Sequence, residues 1–180
     1  MIVAFSTSSP LASLAVFDGE GSLLWEAHRA ASGQASEAVL QMLEEAPVTP
    51  AAVTWWLSDL GPGSFTGTRV GVVLAKTLAW TFGRPCGGTS SFDLIAADAP
   101  VAIPNRKDEW LVREPGRPPR TSPAGDVAAV GYAPGLEPAV YPDAARFGPL
   151  LSRLERTAPE HLIPGYVVPP SISQPKRPQP

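Results

Sequence analysis

Proline is spread so unevenly along this chain that it divides it: residues 1–99 hold five of the 22 prolines and residues 100–180 hold 17. Each proline removes a backbone donor and fixes φ, so long helices and central strands are excluded wherever it is dense. Regular structure is therefore expected over residues 1–99. Residues 100–168 should form a smaller, loop-rich unit, and 169–180 an extended proline-rich tail.

The proline-poor part resolves into alternating elements. Ile2 to Ser6 is a short apolar run suited to a buried strand. Leu11 to Asp18 alternates, Gly19-Glu20-Gly21 turns, and Ser22 to His28 returns, which makes a hairpin. Val39, Leu40, Met42 and Leu43 give Ser36 to Ala46 a helical period, closed by Pro47. Val53 to Ser58 is β-branched and aromatic, and Asp59 to Phe65 is a glycine-rich loop. A long helix follows from Thr66 or Gly67 to Phe82, then a strand at Cys86–Thr89 and a helix over 91–97. The order β-β-β-α-β-α-β-α ends in βα units, which require parallel strands with helical crossovers: a mixed α/β sheet. Beyond it, strands are expected at Val101–Pro104, Glu109–Arg113, Asp126–Tyr132 and 165–168, and a helix over Asp143–Thr157.

Composition narrows the function classes. The chain is 44% hydrophobic, enough for a core, and its net charge of −3 disfavours autonomous nucleic-acid binding, which needs clustered Lys and Arg. A single cysteine excludes an internal disulfide and a thiolate metal cluster. Apolar runs such as Val70 to Ala75 are far too short to span a membrane, and Met1 to Phe5 reads as a strand rather than a secretion signal. A cytoplasmic protein is expected.

The most informative segment is Gly61-Pro62-Gly63-Ser64-Phe65-Thr66-Gly67, between a strand and a helix. Gly61 and Gly63 permit a sharp path, and Ser64 or Thr66 can cap the helix. The free amides of that first turn could instead hold an anion. The spacing is neither a P-loop nor a dinucleotide fingerprint. The helix that follows is apolar nearly all round: Val70, Val73, Leu74, Thr77, Leu78 and Thr81 on one side, Val72, Ala75 and Ala79 on the other. Such a helix needs cover on two sides. The sheet supplies one; the neighbouring helix or another chain supplies the second. Gly71 would allow a close helix approach.

This heptapeptide, followed by Arg69, Gly71 and an apolar helix, resembles the signature of the bacterial TsaB (YeaZ) family. The likeness extends to the opening Ile2-to-Ser8 strand, Ser36-Glu37, Ala102-Ile103…Glu109 and, more sparsely, Val130-Gly131 and Pro164-Gly165-Tyr166. The resemblance implies an actin/hexokinase-like (ribonuclease H-like) fold, Gcp-like or peptidase M22-like in classification, with a complete first lobe (1–99) and a reduced second one (100–168). It implies a non-catalytic subunit of the machinery that makes threonylcarbamoyladenosine on tRNA, without catalytic residues, metal or cofactor of its own. The implied partners are the TsaD-type catalytic subunit, a TsaE-type ATPase, tRNA through the complex, and a second copy of the chain when alone. The implied interface uses Ser36, Val39, Leu40, Leu43, Arg69, Val70, Val73, Leu74 and Thr77, with the signature loop as a possible nucleotide contact. The chain departs from the family pattern at Ser6-Thr7, where an aspartate usually precedes the threonine, and at Ala35-Ser36, Pro104-Asn105-Arg106 and Val167-Val168. The first departure removes a natural magnesium anchor.

Other chemistry finds little support. His28 and His161 are the only histidines and form no helical His-x-x-x-His pair; His28 is expected at a strand end on the surface and His161 in a loop. No Gly-x-Ser-x-Gly elbow occurs. Arg106, Lys107, Arg113, Arg117 and Arg120 form a basic stretch diluted by Asp108, Glu109 and Glu114, expected as a solvated loop. Trp55 and Trp56 are expected to pack opposite faces of the sheet, and Cys86 to be a small buried hydrophobe.

Overall fold

The computed structural model describes residues 1–165. Strands β1 (Ile2–Ser6), β2 (Leu11–Phe17) and β3 (Leu23–Ala30) form an antiparallel meander, followed by helix α1 (Ala35–Glu45). Then come β4 (Trp55–Asp59), α2 (Phe65–Thr81), β5 (Cys86–Thr89) and α3 (Ser91–Ile95). The expected element order is thus observed, and β4 pairs parallel to both β1 and β5 in a sheet ordered β3-β2-β1-β4-β5.

The central strands are apolar on both faces because both faces are covered. Val3, Phe5, Leu14, Val16 and Trp56 point into one core, closed by Val39 and Met42 of α1 and Val72, Ala75 and Ala79 of α2. Ile2, Ala4, Ala15, Phe17, Trp55 and Leu57 point the other way, onto Leu94, Ala144 and Phe147. Trp55 and Trp56 therefore do pack opposite faces, Trp56 stacked 6.0 Å from Phe5. Cys86 is buried, and burial pushes its thiol up.

A second sheet is ordered β8-β7-β6-β9, from β6 (Val101–Pro104), β7 (Glu109–Arg113), β8 (Arg120–Pro123) and β9 (Val130–Gly131). Two expectations change here. The strand expected over Asp126–Tyr132 contracts to the two residues of β9, because Gly131 sits at φ +138 against the Ala102 carbonyl and the chain turns away. The polar, proline-ended β8 was not anticipated; its Arg-Thr-Ser-Pro sequence suits only an edge strand. The helix expected over Asp143–Thr157 is instead a 3₁₀ helix, Ala144–Arg153, with Pro149 inside it; proline cannot donate the bond an α-helix needs there. Asp143 caps it, accepting from the Ala145 amide at 2.9 Å. Gly165 lies outside any strand, and the rest of the strand expected at 165–168, with the tail at 169–180, falls outside the described residues. Among the described residues no helix is long and apolar enough to cross a membrane.

Candidate functional site

The signature loop is folded around a carboxylate that the sequence reading did not single out. Asp59 ends β4 and is wholly buried. Its Oδ2 accepts from the hydroxyls of Ser6 (2.8 Å) and Ser8 (2.5 Å), and its Oδ1 from the Ser91 hydroxyl (2.6 Å) and the Gly61 amide (2.8 Å). Burial raises its pKa, and the hydrogen bonds from Ser8, Ser91, Gly61 and Ser6 oppose that rise. Four donors on two oxygens occupy its acceptor positions, so Asp59 ties β1, the loop and the start of α3 together. The available signal was an acidic residue ending an apolar strand just before the glycines.

From Gly61, at φ +86, the chain turns sharply into α2. Ser64 is the helix cap, accepting from the Gly67 amide at 3.2 Å, whereas Thr66 lies within the first turn. The other glycines are explained by close approach. A Cβ on Gly63 would stand 2.3 Å from the Ser8 carbonyl oxygen, and one on Gly67 only 2.0 Å from that of Thr7. Thr7 in turn donates to the Gly67 carbonyl at 2.7 Å. Gly71 faces the Thr7 and Ser58 hydroxyls, so the close approach it permits is to strand ends rather than to another helix. Beside the loop, a cavity of about 410 Å³ opens, lined by the hydroxyl-bearing Thr7, Ser9, Ser32, Ser36, Ser64 and Thr66 together with apolar Pro10, Ala31, Ala35 and Val70.

Helix α2 then presents two unlike sides. Gly67, Thr68, Gly71, Val72, Ala75 and Ala79 are buried toward the sheet. Val70, Leu74 and Leu78 are half-buried toward the first core, so α1 supplies part of the second cover. Open apolar side chains remain on both helices: on α2 Trp80 is 74% exposed, and around the gap to α1 Val73 is 59% exposed, Leu40 48% and Phe65 42%. Val73, Leu40 and Phe65, together with Ser36, Val39, Thr66, Arg69, Val70, Leu74 and Thr77, line an apolar groove of about 480 Å³ between α1 and α2. The Arg69 guanidinium lies 3.8 Å over the Phe65 ring and forms one edge. Of the residues expected at an interface, Val39 is fully buried and contributes to the core, and Leu43 packs against the core without lining the groove. Leu43 points from α1 toward the sheet side rather than along Leu40, whereas Val39 reaches both the core and the groove.

The basic stretch does not form one face. Arg113 is nearly buried, donating to the carbonyls of Ala96 (2.6 Å) and Ala97 (2.8 Å) and lying 3.4 Å from Asp93, while Arg117 and Arg120 both reach Glu114. His161 lies in a short 3₁₀ turn, Pro159–His161. His28 sits inside β3 rather than at its end, 3.2 Å from Asp143.

Comparison with known proteins bears on this geometry. Residues 25–108, which include α1, the signature loop and α2, match the sequence model of the family described as TsaD, tRNA N6-adenosine threonylcarbamoyltransferase. The tRNA threonylcarbamoyladenosine biosynthesis protein TsaB of Bacillus subtilis (strain 168) is 40% identical over 67 residues. The chain is thus similar to proteins of the TsaB/YeaZ family. The aligned stretch takes in 37% of this chain and 29% of the Bacillus protein, so under a third of that relative's length is matched.

The YeaZ fold extends further than the sequence likeness. A Pseudomonas aeruginosa protein described as similar to peptidase YeaZ superposes with a TM-score of 0.73 at 22% identity, covering 93% of this chain and 99% of its own. YeaZ from Pseudomonas aeruginosa gives 0.69 at 24% identity, with 92% and 99% covered. The mixed α/β architecture with two mixed sheets is thus that of the YeaZ structures, and the Gcp/TsaD domain is of the actin-like ATPase fold.

Proposed function

We propose that this chain serves tRNA threonylcarbamoyladenosine biosynthesis as a non-catalytic, cytoplasmic subunit that docks a TsaD-type catalytic subunit on the groove between α1 and α2. The observation that carries the proposal is the exposure of Leu40, Phe65 and Val73 around one apolar groove between α1 and α2. Contiguous apolar surface of this kind marks interaction sites on soluble proteins. The relative from Bacillus carries this pathway in its name, and its likeness supports the reading.

The scaffold role rests on the chemistry of the site. Asp59, the buried carboxylate closest to the signature loop, is saturated by four donors, and Ser64 is committed to capping α2. Neither is free to position a metal or attack a substrate. Under this reading residues 1–99 hold the docking surface, 100–168 form the reduced lobe, and a TsaE-type ATPase and tRNA join through the catalytic subunit. Without its partner the chain pairs with a second copy through the same groove, because an apolar face that fits one helical surface can self-associate with two-fold symmetry.

Co-expression with the TsaD homologue of the same genome, followed by pull-down and light scattering, tests the proposal. A stoichiometric complex is expected, and Val73→Arg should abolish it while leaving the chain folded by circular dichroism. Absence of a complex with the wild-type chain would overturn the docking proposal. Normal levels of the modified nucleoside in a deletion strain lacking any paralogue would overturn the pathway.

A further inference from the structure

A second group of chemically active side chains lies on the sheet face opposite the groove. Trp25 and Ala27 of β3 pack on the first core, so Glu26 and His28, which alternate with them, project to the other side, where the 3₁₀ helix Ala144–Arg153 begins. Asp143 meets them there, 115 residues along the chain from His28. One ligand atom from each of Glu26, His28 and Asp143 lies within 4.8 Å of the other two.

We propose that Glu26, His28 and Asp143 form a divalent-metal site suited to zinc, with solvent water completing the coordination. Three features support it. The donor set, one imidazole nitrogen and two carboxylates, is one that zinc accepts, and it leaves positions open for water. Asp143 is held in place: its Oδ1 accepts from the Ala145 amide at 2.9 Å, its own amide donates to the Leu94 carbonyl, and its Oδ2 faces His28 Nε2 at 3.2 Å. The Glu26 side chain makes no hydrogen bond or ion pair among the described residues, so two carboxylates share the site with a single imidazole. A divalent ion neutralises that charge and ties the edge strand β3 to the chain beyond the second sheet. The site is open to solvent: the side chains of His28 and Asp143 are 36% and 32% exposed, and Glu26 is exposed.

With only two histidines in the chain, the test is clean. The full-length protein, stripped with chelator, is titrated with zinc chloride by calorimetry, with a thermal melt in parallel. One equivalent should bind and raise the melting temperature. Glu26→Gln, His28→Gln and Asp143→Asn should each weaken binding by about tenfold or more, since even residues that only support metal ligands cost that much when lost. Asparagine keeps a side-chain oxygen to cap the 3₁₀ helix, so a fold defect is not expected. His161→Gln should leave binding unchanged. No zinc binding, wild-type binding in Glu26→Gln or His28→Gln, or binding lost only in His161→Gln would each overturn the site.

Discussion

The two sheets solve the same packing problem by different means. The five-stranded sheet is sandwiched: α1 and α2 cover one face, and α3 with the 3₁₀ helix Ala144–Arg153 covers the other. The four-stranded sheet has α3 on one face, where Phe92 and Ile95 meet Val101, Ile103 and Leu111. On its other face irregular chain takes the place of a helix, with Val127, Ala129, Ala133 and Leu136 lying over Ala102, Trp110 and Val112. Helices bring apolar stripes of regular spacing, whereas a proline-rich segment offers apolar side chains only singly. The first sheet can therefore bury large side chains completely and still leave one helix face over. The second uses its apolar residues on its own cover. That surplus on α2 is the physical origin of the groove.

Four substitutions break or sharpen the contrast, from the largest effect to the smallest. Trp56→Ala empties the centre of the first core, where the ring is fully buried against Phe5, and should cost about 3–5 kcal/mol in denaturant unfolding. Gly67→Ala places a methyl group 2.0 Å from the Thr7 carbonyl oxygen and should cost about 1–3 kcal/mol, because backbone rather than a flexible side chain must move. If this variant is as stable as wild type, the close approach of α2 to the loop after β1 is wrong. In the second sheet, Ile103→Val removes one buried methyl group and should cost about 0.5–1.5 kcal/mol. Val73→Arg should change stability by less than about 0.5 kcal/mol, since Val73 is already 59% exposed, yet remove partner binding. A large loss of stability there would mean that the α2 face is core and not a docking surface.

Asp59 gives a test of a different kind. Its pKa is raised by burial, so a proton is held more readily in the folded than in the unfolded state. The stability this group contributes is fully present below the ordinary carboxylate pKa and is lost as pH rises through the folded value. Relative to Asp59→Asn, wild-type protein should therefore gain stability as the pH is lowered from neutral into the carboxylate range. Paired denaturant melts across that range read the sign directly, and a gain on raising the pH would contradict it.

The first sheet was legible because its signals are local. Alternation in 11–18, a helical period in 36–46 and an apolar run ending at Gly61 each set one element, and their order implied the parallel crossovers. The apolar face of α2 was legible as well, since Val70, Val73, Leu74 and Thr77 share one helix face by spacing. Val39 both lines the groove and is buried in the first core, a depth set by how α1 is rolled against the sheet, which spacing leaves undetermined. The second sheet was harder. β8 is too polar to announce itself, and the 3₁₀ helix has a clear apolar pattern that Pro149 prevents from becoming α-helical.

By itself, the amino-acid sequence determined the order of elements in the first sheet, the cap and turn of the signature loop and the surplus apolar face of α2. All of these depend on residues within a turn or two of one another. Only the tertiary structure decided what the long-range contacts assemble. It gathers Ser6, Ser8 and Ser91 around Asp59, sets Thr7 against Gly67, and brings Asp143 to His28 across 115 residues. Hydrogen bonds and ligand sets of this kind need side chains within about 3 Å, and no spacing along the chain specifies which distant segments the packing of two sheets will place together.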